Sequence, residues 1–494
     1  MSPAKRKKRV PPKLVGSATI TPMSAPNTGV KVRMYRQGLG DCFLLAFPGR
    51  AGRAFYLLID CGVLVGQVAG RPEMRAVAQH IADSTGNRLD VVIATHQHWD
   101  HLSGFIDAKD VFKGCAIGEV WMAWTEDPTD ALAKKLGQKA KKTQMALARG
   151  MTHLTGIAGV ASMSSGDQQW TEALQNVLGF LGANSDTRTT AAALQSLRDF
   201  CGGKVKYCAP ADPASTVAEL DGVRIYVLGP PHDEQKINSY NDKKSDPQTY
   251  HLAELSLAAQ TEFLLAALDD PTNQASGFAR SPFDERQQIR KDDGAKLFGP
   301  LSERWLEGTQ NTWRAIDLEW LRAMNGLALD LDNATNNTSL ALAIELGPRG
   351  KVLLFAADAQ VGNWLSWRDQ SWKDDQGRVI TVDDLLARTV LYKVGHHSSH
   401  NATLRQRGLE LMTNEDLIAL VPLDKATAIK KKWPMPWPKL RTALLASTKG
   451  RMLQVDDEDL PEKTDPPPGT SAAVWRKFQA AVSGGDMFFE ITIS

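Results

Sequence analysis

Six of the chain's ten histidines fall in two clusters, at 96, 98 and 101 and at 396, 397 and 400. The first cluster reads Thr95-His96-Gln97-His98-Trp99-Asp100-His101. Two histidines two positions apart project from one side of an extended segment. The Asp100–His101 pair can turn back toward them from the first turn of a helix. Three imidazoles and one carboxylate are thereby gathered within six residues. Neutral imidazole and carboxylate are the natural ligands of zinc and neighbouring borderline metals. Packing does not account for the cluster, because so many polar groups could not be satisfied inside a core without a metal ion.

The elements that must position these groups follow from the apolar pattern. Strand texture occupies residues 30–34, 42–47 and 55–59, separated by turn signals at 38–40 and 48–52. A helix is expected over 73–84, with Met74, Val77, Ala78 and Ile81 on one face. The apolar strand at 90–95 ends directly at His96. The strand at 351–357 ends at Asp358, and the strand at 389–395 ends at His396. In an α/β sheet such carboxyl ends line a common crevice. One Asp after a strand is weak evidence, since turns and caps also use it. The agreement of three strand ends carries the inference.

Elsewhere, residues 129–200 read as helical, with Trp170, Leu174, Val177, Leu178 and Leu181 at helical spacing. A second helical stretch is expected over 249–325, where Trp313, Ile316, Trp320 and Met324 form a packing stripe. Further strands are expected at 223–228, 339–345, 417–421 and 451–455, a helix at 438–447, and a final strand at 488–494.

Bulk composition sets the outer limits. The 494 residues are 43% hydrophobic and 23% charged, which excludes wholesale disorder. A net charge of +2 excludes nucleic-acid binding by bulk electrostatics, so any such contact must be a local patch. The five cysteines include no C-x-x-C pair, which argues against a thiolate zinc site or a disulfide framework. They read as small buried hydrophobes in a reducing, cytoplasmic setting. No apolar run of about 18 residues is present, so no membrane span is expected. The basic N-terminus, Lys5 to Arg9, lacks the apolar core of a secretory signal and reads as a solvated tail.

His96-x-His98-x-Asp100-His101 matches the signature of the metallo-β-lactamase-fold hydrolases, and the chain resembles that superfamily. Within it, the chain is most similar to the soluble domain attached to competence-type DNA-uptake channels and to its stand-alone relatives. The matching stretches are Gln37-Gly38-Leu39-Gly40-Asp41-Cys42, Leu57-Leu58-Ile59-Asp60-Cys61-Gly62, Asn336-Asn337-Thr338-Ser339 and Lys393-Val394-Gly395-His396-His397-Ser398-Ser399. The resemblance covers roughly residues 30–128, 220–240 and 335–455. It implies an α/β fold, a four-layer αβ/βα sandwich with metals at one edge. One hydrolase domain would then span 29–455, after a basic tail at 1–28 and before a C-terminal extension at 456–494. Helical insertions would fall at about 129–215 and 241–330.

Carried over by position, the resemblance implies two divalent metal ions, zinc or alternatively manganese. His96 and His98 would hold the first. Asp100, His101 and His396 would hold the second, with Asp358 between the two. Asp60 would orient a ligating imidazole. His397 would stand beside the metals as a substrate contact or proton donor. His396 is preferred to His397 as ligand because it lies nearer the strand end. Three departures stand out. Many members supply a further histidine before the bridging Asp; His153, His232 and His251 match it only by residue type, and Asn336 stands near that position. Ala357 replaces the usual glycine before Asp358 and is expected at negative φ. Met435-Pro436-Trp437-Pro438 replaces a usual His-Pro, with His400 as a substitute or a solvated side chain.

A dinuclear site of this type activates a water with a pKa lowered toward ~7 and clamps attacking and leaving oxygens. The metal core does not choose among phosphodiester, lactone, thioester and β-lactam. Nucleic acid or nucleotide is the leading substrate, read from the relatives and from basic groups at Lys5–Arg9, Lys430–Lys432, Lys439 and Arg441, with Trp433 and Trp437 interleaved. A hydrolase of a small ester, lactone or thioester is the second reading. A weakly catalytic metal-binding interaction module is the third.

Overall fold

Alternation of side chains decides the architecture. Along the strand Ala54–Cys61, Leu57 and Ile59 enter one core while Leu58 enters another. In the strand Lys351–Phe355, Leu353 and Phe355 join the same core as Leu57 and Ile59, while Val352 and Leu354 face away from it. Two sheets therefore share one apolar core, and each buries its other face separately. The computed structural model describes residues 22–156, 188–210, 212–239, 319–458, 465–468 and 470–494, with 175, 178 and 179. The basic tail cluster at 5–9, most of the stripe at 170–181, Trp313, Ile316 and the bulk of the second insertion lie outside them.

The fold is α/β. One sheet has eight strands, in the order Val482–Gly484, Phe488–Ile493, Val30–Tyr35, Cys42–Pro48, Ala54–Cys61, Arg88–Ala94, Ala116–Ala123 and Val205–Cys208. The other has seven, in the order Met452–Gln454, Ile418–Val421, Thr389–Lys393, Lys351–Phe355, Ala341–Leu346, Val223–Gly229 and Ser215–Thr216. Each sheet is parallel on one side and antiparallel on the other. Both faces are buried, which is why these strands read as continuous apolar runs. On the outer face of the first sheet, Met74, Val77, Ala78 and Ile81 of the helix Met74–Thr85 pack with Leu44, Leu58 and Val92. On the outer face of the second, Val361, Trp364, Leu385 and Leu440 pack with Val352, Leu354 and Tyr392.

Three elements differ from the sequence reading. The strand Ala116–Ala123 is hidden in sequence because Gly118 and Glu119 interrupt its apolar run. Gly118 is needed there, since a Cβ would meet Asp90 O at 2.5 Å. Val205–Cys208 falls inside the range read as a helical insertion, yet it pairs in parallel with Ala116–Ala123 as the edge of the first sheet. The final strand, Phe488–Ile493, is no appendage. It pairs antiparallel with Val30–Tyr35 from Val30↔Ile493 to Tyr35↔Phe488, so the region read as a C-terminal extension completes the first sheet. No helix among the described residues is long and apolar enough to cross a membrane.

His80 marks where the N-terminal and C-terminal strands meet a helix. Its ring lies 5.7 Å from Tyr35 and 5.3 Å from Phe488, and Nδ1 is 3.1 Å from the Tyr35 hydroxyl. Burial, reinforced by Arg33, pushes this imidazole down to about 4. Native His80 is thus neutral, while in the unfolded chain it takes up a proton below its ordinary 6.5. Its contribution to stability is full above 6.5 and is lost as pH falls from there to about 4. His80→Phe keeps the ring packing and removes the titration. Urea midpoints of the variant should fall less between pH 7 and pH 5 than those of the parent, and equal falls would refute the assignment.

Candidate metal centre

The site is built where strands from both sheets end. Thr95 follows Arg88–Ala94, and its carbonyl accepts from Leu340 N at 2.9 Å, joining the two sheets at the edge where the histidines emerge. His98 caps the short helix Trp99–Leu102, which carries Asp100 and His101 in one buried turn, as the spacing implied. Two glycines let this turn sit down. A Cβ on Gly62 would lie 2.4 Å from Asp100 C, and one on Gly40 would lie 2.6 Å from Asp100 O. Asp41 N then donates to Asp100 O at 3.0 Å, and Gly62 N donates to Asp41 O at 3.0 Å.

Each histidine nitrogen has a distinct neighbour. His101 Nδ1 lies 2.7 Å from Asp60 Oδ2, while its Nε2 lies 3.2 Å from Asp358 Oδ2 and 3.8 Å from Asp100 Oδ2. Asp60 also accepts from Thr95 N at 2.9 Å and from Thr95 Oγ1 at 2.6 Å, so its carboxylate is locked. A carboxylate locked in this way stands where it can fix the angle of the His101 ring. His397 Nδ1 is 2.7 Å from Pro422 O, which assigns the proton to Nδ1, and its Nε2 reaches Asp100 Oδ2 at 2.8 Å and Asp358 Oδ2 at 3.6 Å. His96 Nδ1 lies 3.1 Å from Thr95 Oγ1, and its Nε2 lies 3.1 Å from His98 Nδ1.

His397, not His396, reaches the Asp100–His101–Asp358 group. Nearness to the strand end misleads here because the chain turns through left-handed backbone at His396, His397 and Ser398, with φ of 38°, 49° and 65°. The His396 ring is carried to Asn336, Gln360 and Ser399, at 3.5, 3.5 and 3.0 Å. Ala357 also departs from expectation, with φ of +48° rather than negative. The strained peptide is held by its carbonyl, which accepts from Lys393 Nζ at 2.8 Å and from His396 N at 3.2 Å.

Two residues inside the matched motifs gain partners that sequence did not assign. Lys393 is buried, and its Nζ lies 2.5 Å from Asp41 Oδ2 and 3.1 Å from Asp358 Oδ1. The same Asp358 oxygen accepts from His396 N at 3.1 Å, which leaves Oδ2 facing His101 and His397. Ser339 Oγ accepts from Asp358 N at 3.2 Å, and Asn337 braces the neighbouring loops through Ile237 O, Ser239 O, Gln360 N and Asn363 N. The Asn336–Ser339 motif thus works as a scaffold. Asp332, from the helix Glu319–Asn337, lies 3.6 Å from His98 Nε2 and was not anticipated. Its i, i+4 spacing to Asn336 was the available signal, and Asn336 Nδ2 donates to Asp332 Oδ2 at 3.2 Å.

Electrostatics separate the rings. Burial pushes His98 down to about 4 and His396 down to about 3, and burial with neighbouring His101 and His98 drives His96 well below its ordinary value. Burial pulls on His101 too, but Asp358, Asp41, Asp100 and Asp60 hold it well above. His397 is raised against burial by Asp358 and Asp100. Burial raises Asp358, but Lys393, His101 and His397 outweigh it and hold the carboxyl well below the usual carboxylate range.

Asp41, His101, Asp358 and His397 place one ligand atom each within 4.8 Å of one another and could hold a metal ion. Asp41 Oδ1, Asp100 Oδ1 and His101 Nε2 are buried without a hydrogen-bond partner. Unpaired acceptors and nitrogens of this kind are what a cation satisfies, so the residues present fit a divalent metal. Of the other candidates, His232 is half-exposed, pairs with Asp130 at 2.9 Å and stacks on Trp124, away from the group. The side chains of His153 and His251 lie outside the described residues. His400 is partly buried beside Trp437, with ring centroids 5.8 Å apart, and Trp437 N donates to Ser398 O at 2.8 Å.

A cavity of about 1030 Å³ adjoins the motif at Gln97. Its walls come from the helices Ala131–Gly156, Thr190–Phe200 and Glu319–Asn337, and Lys139, Lys141 and Lys431 line it. Lys430 bonds Gly66 O at 2.8 Å, and Trp433 and Trp437 pack half-buried against the outer core of the second sheet.

No family model matches the chain, and no curated protein matches it.

Ala357 gives a direct test of the local backbone. A left-handed alanine costs about 1–2 kcal/mol, and glycine recovers this less about 0.4–1 kcal/mol of added unfolded-state entropy. Ala357→Gly should therefore stabilise the protein by about 0.5–1 kcal/mol in urea unfolding. A lower midpoint would show that the φ of this residue is not strained.

Proposed function

We propose that this chain is a metal-dependent hydrolase of the metallo-β-lactamase type, acting on phosphodiester bonds of a nucleic acid or nucleotide. The observation that carries the reading is the matched polarity of the histidines. His101 and His397 each give Nδ1 to a protein oxygen and turn Nε2 to Asp358 Oδ2, while His96 Nε2 and His98 Nδ1 converge to 3.1 Å. Ligating imidazoles are arranged in this way. The four-layer form of the fold is supported by the core shared between the sheets and by the helices packed on each outer face.

On this reading His96 and His98 hold a first divalent ion, and Asp100, His101 and His397 hold a second, with His397 in the place first given to His396. Asp358 lies between them. Zinc or manganese, when bound, would polarise the scissile phosphate and lower the pKa of an attacking water. The protein's own groups set the frame. Lys393 and His396 N hold one oxygen of Asp358, so the other is presented to both histidines. Asp60 and Pro422 O fix the rings of His101 and His397. Lys141 and Lys431 line the adjoining cavity, beside a Lys139 paired with Glu234 at 2.5 Å, and supply basic groups of the local kind that a polyanion needs from a chain of net charge +2.

Purified protein should carry about two equivalents of zinc or manganese and cleave a chromogenic phosphodiester. Asp100→Ala should lower kcat/KM roughly 100-fold or more with an unchanged circular dichroism spectrum. Turnover of a lactone or thioester without phosphodiester cleavage would install the small-substrate reading. Metal binding with no turnover would favour an interaction module, and protein that binds no metal would overturn the assignment.

A further inference from the structure

The first metal position, as read from sequence, has only His96 and His98. The helix Glu319–Asn337 borders it from a region at the edge of the resemblance. Leu331, Ala334 and Thr335 of this helix line the cavity, while Asp332 and Asn336, one turn apart, are turned to the histidines. The helix is therefore the partition between cavity and metal group.

Asp332 is only half-partnered. It is buried, and Oδ1 has no hydrogen-bond partner. Oδ2 takes one bond, from Asn336 Nδ2. A buried carboxylate oxygen left without a partner is one that a nearby donor is expected to satisfy. The nearest ring is that of His98, whose Nε2 lies 3.6 Å from Asp332 Oδ1 while its Nδ1 faces His96 Nε2 at 3.1 Å.

We infer that Asp332 is the positioning residue of the first metal position: it accepts the Nε2 proton of His98 and so holds Nδ1 toward the ion that His96 shares. This rests on the metallohydrolase reading above and adds to it a helix-borne group beside the first metal position. An imidazole that donates Nδ1 to a divalent ion carries its proton on Nε2, and the ion makes that proton more acidic. A carboxylate beside it is then compensated, and the ring is fixed in tautomer and angle. Asp60 does the same for His101 with the nitrogens exchanged, through Nδ1 at 2.7 Å. The two carboxylates thus select opposite nitrogens on the two rings.

The test uses the full chain, zinc alone as probe, and the variants Asp332→Ala and Asp332→Asn. Zinc stoichiometry and affinity are read by competition with a chromogenic chelator, and the stability of the metal-free protein by thermal unfolding. Both variants should weaken one of two zinc equivalents by about 10–100-fold and leave the other unchanged. The metal-free variants should remain folded and melt cooperatively, as the metal-free parent does. Cobalt substituted at the weakened position should show an altered visible spectrum. Two unchanged zinc affinities in a folded variant would overturn the role of Asp332. So would a lowered melting temperature with both affinities intact, which would mark a purely structural residue. A parent chain that binds no zinc would overturn the metallohydrolase reading itself, a result seen before any variant is made.

Discussion

Charge balance at one sheet edge governs this molecule. Asp41, Asp60, Asp100, Asp332 and Asp358 are all buried there, and Lys393 is the one lysine buried among them. Taking a carboxylate from water into a protein interior costs several kcal/mol after relaxation, by order of magnitude. Lys393 divides its charge between Asp41 and Asp358, and Asp60 is met by Thr95 and His101. Asp100 is met by His397, while burial and the like charges of Asp100 and Asp358 hold Asp332 well above the usual carboxylate range. The raised values of His101 and His397 show where the protein places positive charge when only protons are at hand. A divalent ion among the same nitrogens would answer the same field, and the protons on Nε2 would be displaced.

The backbone bears the cost of bringing these groups together. Asp60, Ala357, His396, His397 and Ser398 all have positive φ, and all lie at strand ends on the same edge. None is glycine, so each is held in a conformation its side chain disfavours. Such residues persist where their surroundings over-determine them. Ala357 O is bonded by Lys393 and His396, and Ser398 O by Trp437. The lysine that balances the acids thus also holds the turn that presents Asp358.

What could be read from the sequence was whatever is local. The signature of three histidines and an aspartate spans six residues and meets as one buried turn, because helix and strand geometry alone dictate its shape. Asp358 was marked by its strand. The preference for His396 over His397 rested on nearness to the strand end, and it fails because the outcome depends on left-handed dihedrals that strand texture does not encode. Asp41 and Lys393 meet only through the pairing of separate sheets, and Asp332 arrives from a helix with no motif of its own. In the fold, apolar runs marked most strands, but the partner of the last strand is a tertiary fact.

That last strand has a temporal consequence. Val30–Tyr35 is flanked by Cys42–Pro48 on one side and by Phe488–Ile493 on the other. During vectorial synthesis the second flank remains unpaired until residues 488–493 have been made, long after Cys42–Pro48. Asp41 comes from the first sheet's side of the chain, and the Lys393 and His397 that face it come from the second's, so this acid emerges from the ribosome long before its counter-charges. A nascent chain of this kind holds an unfinished sheet edge and an unpaired Asp41 until the second sheet and the last strand are made, and its ligand shell closes as one late event.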